Sequence, residues 1–223
     1  MYFLGIDLAG EKNTWIVALK EGRTLSFEIL KPVSLESIVS FCEKHWVLGV
    51  AIDAPLTFGL KDEKGFRESD QKLRNLLPKE ASNWVVSYHG LQAVPIRGKI
   101  LAEALSPVVG TILETHPRAS LYFFLPKEMK ELTFRYKPKK GLPKAVQEEA
   151  LKKIWGYLLK SFDIPTESLE NHISDGLVDA LVCALTAWLF HRAPENLISL
   201  SSKALGTFGR GPFVVIQKLP RKG

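Results

Sequence analysis

A chain of 223 residues with 46% hydrophobic and 24% charged content is too apolar and too evenly charged for intrinsic disorder, and 16 glycines and 13 prolines exclude a collagen-like or low-complexity protein. Its two cysteines, Cys42 and Cys183, exclude a disulfide framework, and the longest apolar stretch, Leu177 to Phe190, falls short of the roughly 20 residues that cross a bilayer. The excess of 30 Lys and Arg over 24 Asp and Glu, a net charge of +6, favours anionic partners, DNA or RNA above all.

The first residues show no charged segment leading into an apolar one and a cleavage site, so the expectation is a single-domain protein of the cytoplasm, with no membrane partner. Tyr2 to Ile6 is an apolar run ending in Asp7, Thr14 to Leu19 is a second, and Leu25 to Leu30 a third, which reads as a three-stranded antiparallel meander. Ser34 caps a helix in which Leu35, Ile38, Val39 and Cys42 recur at helical spacing. Val47 to Ile52 is apolar on both faces, as in a buried parallel strand, and stops at Asp53-Ala54-Pro55. From residue 57 to about 110 the composition turns charged, aromatic and Gly/Pro-punctuated, with a helical piece around Arg67 to Leu77, and this segment reads as an insertion. Thr111 to Glu114 is strand-like, and Pro117 opens a helix to about Phe124. A basic loop spans Phe134 to Pro143, and helices follow over 144–160 and about 173–191, the latter apolar nearly all round. Phe213 to Gln217 can add a last strand. The pattern is α/β, with a mixed sheet covered by helices.

Acids mark the ends of these apolar runs. Asp7 closes the first strand, Asp53 the buried fourth one and Glu114 the strand after the insertion, while Asp175 and Asp179 share one face of the apolar helix. Each has an ordinary reading as well: a turn residue for Asp7, an Asx turn for Asp53, a pair with His116 for Glu114, a first-turn acid for Asp175. Asp179 is harder to explain away, since no Lys or Arg lies within four positions to balance it in a buried helix. Oxygen-only ligands from several elements suit Mg²⁺ or Mn²⁺ rather than zinc, and two such ions about 4 Å apart support in-line hydrolysis of a phosphodiester.

Five motifs occur in order: Gly5-Ile6-Asp7-Leu8-Ala9-Gly10, Ala51-Ile52-Asp53-Ala54-Pro55-Leu56, Arg67-Glu68-Ser69-Asp70, Glu114-Thr115-His116-Pro117 and Asp175-Gly176-Leu177-Val178-Asp179-Ala180-Leu181. Together the set resembles the family called domain of unknown function 429, regarded as predicted nucleases with an RNase H-like fold, across nearly the whole chain. The resemblance implies a metal site of Asp7, Asp53 and Asp179. Glu114 is the next candidate, as fourth ligand or water-orienting base, and Asp175 a further possible ligand. It also matches Arg67 and Asp70, to which orienting the substrate phosphate or the acids falls.

Arg67, Asp70 and Arg74, at i, i+3 and i+7, can present a basic edge to substrate, with a surface ion pair as the plainer alternative. His116 can tune Glu114 or move a proton, or serve structure alone. Trp84, Tyr88, His89 and Arg97 can stack on bases or grip a backbone, or pack the insertion against the sheet. Basic residues crowd two places: Lys127, Lys130, Arg135, Lys137, Lys139, Lys140 and Lys144, and then Arg210, Lys218, Arg221 and Lys222. The leading expectation is a two-metal nuclease or phosphodiesterase. A non-catalytic nucleic-acid-binding scaffold is the second, and an ATP-dependent phosphotransferase, suggested by the hairpin from Gly5 to Thr14, is the third.

Overall fold

The computed structural model describes residues 1–10, 12–30, 34–59, 63–165, 173–201 and 208–220. Arg221 and Lys222 of the C-terminal basic group lie outside these residues. The strands are β1 (Tyr2–Asp7), β2 (Trp15–Glu21), β3 (Leu25–Leu30), β4 (Val47–Ile52), β5 (Thr57–Phe58), β6 (Thr111–Glu114), β7 (Leu197–Ser199), β8 (Phe208–Gly209) and β9 (Val214–Ile216). The helices are α1 (Leu35–Lys44), α2 (Glu68–Leu76), α3 (Val94–Leu105), α4 (Pro117–Phe124), α5 (Lys144–Ser161) and α6 (Asp175–Arg192).

Five strands form the central mixed sheet in the order β3-β2-β1-β4-β6. The meander β1-β2-β3 is antiparallel, and β4 and β6 extend it in parallel beside β1. Thr14 stays out of β2 because its hydroxyl donates to the Ala9 and Gly10 carbonyls and accepts from the Ala9 amide, closing the β1–β2 turn. The last strand, β9, pairs with β7, and Phe213 just before it makes a single parallel bridge to Glu114 of β6.

Strict alternation divides the sheet between two cores. Phe3, Val17, Leu19, Ala51 and Leu113 pack under α4, α5 and α6, whereas Leu4, Ile6, Ile16, Val50, Ile52 and Ile112 pack against α1 and α3. Helices therefore cover both faces. α3 lies inside the segment read as an insertion, yet it is part of this second layer, between the parallel strands β4 and β6. Its sequence hides it, since Pro95 and Gly98 interrupt the apolar pattern. Pro95 sits in the first turn, where its missing N–H costs nothing, and Gly98 lets the helix approach Ala54.

α6 is buried nearly all round, as its composition demands, and it crosses β1 at Gly5. A Cβ on Gly5 would stand 2.0 Å from the Ala180 carbonyl oxygen and 2.1 Å from the Ala184 amide nitrogen. Gly5→Ala is therefore expected to lower stability by about 3 kcal/mol, the upper part of the usual overpacking range, read as a lower urea midpoint at unchanged slope.

Candidate metal centre

The crossing of α6 over β1 and β4 brings three carboxylates together. On β1, Phe3 and Gly5 face α6, so the period of two assigns Asp7 to the same side. On β4, Ala51 faces α6 and Asp53 follows two residues later. The parallel register pairs Gly5 with Ala51 and Ile6 with Ile52, and the Asp53 amide donates to the Ile6 carbonyl at 2.8 Å, which sets Asp53 beside Asp7 at the same sheet edge. Asp179, one turn into α6 and fully buried, comes down between them. One carboxylate oxygen from each of the three lies within 4.8 Å of the others. Such a cluster can hold a metal ion.

Residues 136 and 137, which follow the 3₁₀ segment Lys127–Phe134, answer the buried charge of Asp179. The Tyr136 hydroxyl donates to Asp179 Oδ1 at 2.8 Å, and the Lys137 ammonium forms an ion pair with Asp179 Oδ2. Lys137 was legible only as one member of a basic run, and nothing in the sequence near Asp179 points to it. One cation does not balance three acids. Burial, together with the charges of Asp179 and Asp53, holds the Asp7 carboxyl well above its usual range, and burial with Asp179 pushes Asp53 up to about 7. Burial works against the charge of Lys137, but Asp179, Asp7 and Asp53 outweigh it and keep the ammonium firmly protonated.

Glu114 stands apart from this group, and the reason is again alternation. Leu113 faces α6 and Ile112 faces α1 and α3, so Glu114 turns to the second face. There its carboxylate is occupied. Arg67 Nη2 donates to Oε1 at 2.5 Å, and Arg67 Nη1 and the Leu56 amide both donate to Oε2 at 2.8 Å. The same guanidinium holds Asp70 through Nε at 3.0 Å and Nη2 at 2.6 Å, with 3% of Arg67 exposed. Arg67 and Asp70 are thus not a basic edge for substrate but a buried clamp that ties the start of α2 to the end of β6. Nor does Glu114 pair with His116: its donors are Arg67 and the Leu56 amide, and it lines the cleft with its carboxylate already engaged by them.

Arg74 points elsewhere, donating to the carbonyls of Ser82 and Val85 at 2.7 and 2.9 Å. His116 caps α4. Its Nδ1 accepts from the Ala119 amide and its Nε2 faces the Trp84 carbonyl at 3.3 Å, so the Nε2–H tautomer satisfies both, and burial lowers the pKa of the ring. Asp175 is the first residue of α6, behind the Ser174 cap. Its charge raises Asp7 further, but it lies outside the group whose oxygens meet.

Asp7 and Asp53 open into a cleft of about 260 Å³, with Asp179 buried behind them; its other walls include Arg67, Asp70, Glu114 and His116, then Lys137, Arg118, Trp84 and the apolar Val86, Leu91 and Val94. Most of those walls come from the segment after β4, which is how that segment serves the site. Trp84 packs edge-on to Phe134 and Tyr122, and Tyr88 to Phe58, so these aromatics mainly assemble the wall. Of the basic stretch, Lys127, Arg135, Lys139, Lys140 and Lys144 are exposed, and Arg135 and Lys144 are paired with Glu131 and Glu148. Arg210 pairs with Glu103. No helix among the described residues is long and apolar enough to cross a membrane.

A family model described as "Protein of unknown function (DUF429)" matches residues 5–202. No curated protein and no solved structure matches the chain.

Proposed function

The chain belongs to the DUF429 family, whose description assigns no chemistry, and we propose from the site itself that it is a metal-dependent nuclease or phosphodiesterase on an RNase H-like fold. The observation that carries this reading is the convergence of Asp7, Asp53 and Asp179, from three elements distant in sequence, with oxygens within 4.8 Å of one another and with Asp7 and Asp53 lining a cleft. An antiparallel meander followed by two parallel strands supports the fold assignment.

The donor set is all oxygen, which suits hard Mg²⁺ or Mn²⁺. Charge decides the number of ions. Three ionised carboxylates and one ammonium leave a deficit of two positive charges; Glu114 is committed to Arg67, and Asp175 acts on Asp7 from outside the group whose oxygens meet. One divalent ion therefore replaces the two expected from the acids alone, with Lys137 standing as the second cation. When bound, the ion supplies water activation and neutralises charge developing on the scissile phosphate. Asp7 and Asp53 would bind it and give up any proton they hold. Tyr136 and Lys137 fix the Asp179 carboxylate, and the cationic wall of Lys137 and Arg118 draws an anionic substrate to the cleft. The net charge of +6 suits a nucleic acid as that substrate.

Two measurements test the reading. Purified protein should cut some DNA or RNA in Mn²⁺ or Mg²⁺ and stop in chelator. Mn²⁺ should also raise its melting temperature, by more at pH 8 than at pH 5. The sign follows from Asp53. With its carboxyl at about 7 when folded against an ordinary 3.8, the folded protein holds the extra proton between those values, so metal-free stability falls as pH rises through that window. Above it the carboxylates are free for the ion, and binding restores what was lost. A salt-sensitive complex with nucleic acid and no turnover over a wide panel of substrates would instead support the scaffold reading.

A further inference from the structure

Arg118 carries a charge that no carboxylate among the described residues meets. The other arginine that lines the cleft, Arg67, is committed to Glu114 and Asp70, and Arg74, which does not line it, to two backbone carbonyls. Arg118 spends one of its five donors, Nε, on the Thr133 carbonyl at 2.9 Å. Its guanidinium carbon sits 4.1 Å from the centroid of the Trp84 ring and 5.9 Å from that of Tyr136. The head group is therefore held from one edge and one face, while its two terminal nitrogens have no hydrogen-bond partner among the described residues. The side chain lines the same cleft as Asp7, Asp53 and Lys137. Thr115, on the cleft wall, buries a hydroxyl that also lacks a partner. A half-buried guanidinium fixed in position with two free nitrogens is the donor geometry that takes two oxygens of one tetrahedral anion.

We propose that Arg118 is the phosphate clamp of this cleft, its two terminal nitrogens gripping oxygens of a phosphoryl group presented to Asp7, Asp53 and Asp179. The inference rests on the phosphodiesterase reading for the identity of the ligand, and it adds the residue that binds it. Lys137 does not fill this role, because its ammonium is engaged by Asp179. Stacking on Trp84 alone would explain where the guanidinium lies, but not why its outer nitrogens are left without acceptors beside a cleft.

The test uses AMP, which carries a phosphate but no phosphodiester bond to cut. Isothermal titration of wild type and Arg118→Gln with AMP, in Mn²⁺ and without it, should show at least a tenfold loss of AMP affinity in the variant. Mn²⁺ affinity should be unchanged or tighter, since a cation has been removed from beside the acids. With oligonucleotide substrate the same variant should raise KM at least tenfold. An AMP affinity within twofold of wild type would overturn the clamp while leaving the metal centre standing. Failure of wild type to bind Mn²⁺ would overturn the metal-centre reading, and the AMP comparison without Mn²⁺ would still decide the clamp. If Arg118→Gln does not fold, Arg118→Lys takes its place: it keeps a cation over Trp84, loses the two-nitrogen fork, and is expected to weaken AMP at least threefold.

Discussion

Asp7→Asn is expected to lower metal-dependent cleavage by roughly a thousandfold in kcat/KM, about 4 kcal/mol of transition-state stabilisation, while making the metal-free protein more stable. The first effect follows from removing a charged oxygen from a set of three that meet within 4.8 Å. The second follows from the same proximity. Asp7 is disfavoured as a carboxylate by burial and by the charges of Asp179 and Asp53, and asparagine has its shape without its charge. At pH 8 the gain should be about 1 kcal/mol, a rise of roughly 2–4 °C in melting temperature for a chain of this size. Asp179→Asn should differ in sign, because Lys137 would then lose its ion-pair partner. Activity assays and thermal melts on the two variants, side by side, check both statements. A loss of stability in Asp7→Asn would mean that the residue is held by an ordinary structural interaction and not by the needs of an ion.

Arg67→Ala carries the largest expected effect on stability. Its guanidinium serves two carboxylates at once, and Glu114 and Asp70 are 2% and 4% exposed. Truncation leaves two buried acids without their cation, and breaking such a pair from one side typically costs about 3–5 kcal/mol. That is a large share of the roughly 5–15 kcal/mol that holds a domain folded, so the variant should unfold at a much lower urea concentration or fail to accumulate. Glu114→Gln should cost less, since its carbonyl can still accept from Arg67 and from the Leu56 amide. Denaturant titrations of the two variants give the ordering. If Glu114 were instead a ligand or base with free oxygens, Glu114→Gln would abolish cleavage at little cost in stability.

The strands and helices were largely legible because each reports on its own burial. Val47–Ile52 and Leu25–Leu30 have the bounds their apolar runs mark out, and the Ser34 cap and the strand Thr111–Glu114 stand where composition places them. α3 was not legible as a covering helix, since Pro95 and Gly98 break its pattern for reasons that exist only once it starts a helix and meets Ala54. Among the site residues, Asp7, Asp53 and Asp179 announce themselves as acids that interrupt or terminate apolar segments. Glu114 fits the same description and plays a different part.

The amino-acid order alone determined that this is a mixed α/β chain with acids at the ends of its core strands and one inside its most apolar helix, because those features depend on neighbours in sequence. Only the tertiary structure decided which acids share a point. Asp7 and Asp53 sit on the α6 side of adjacent strands and Glu114 on the other side of the next, a distinction set by pleat and register rather than by composition. It also decided which cations answer them. The loop that carries Tyr136 and Lys137 reaches Asp179 across the fold, and Arg67 reaches Glu114 from the far end of a different segment. Electrostatic pairing acts through space, so it becomes visible when the chain has closed on itself.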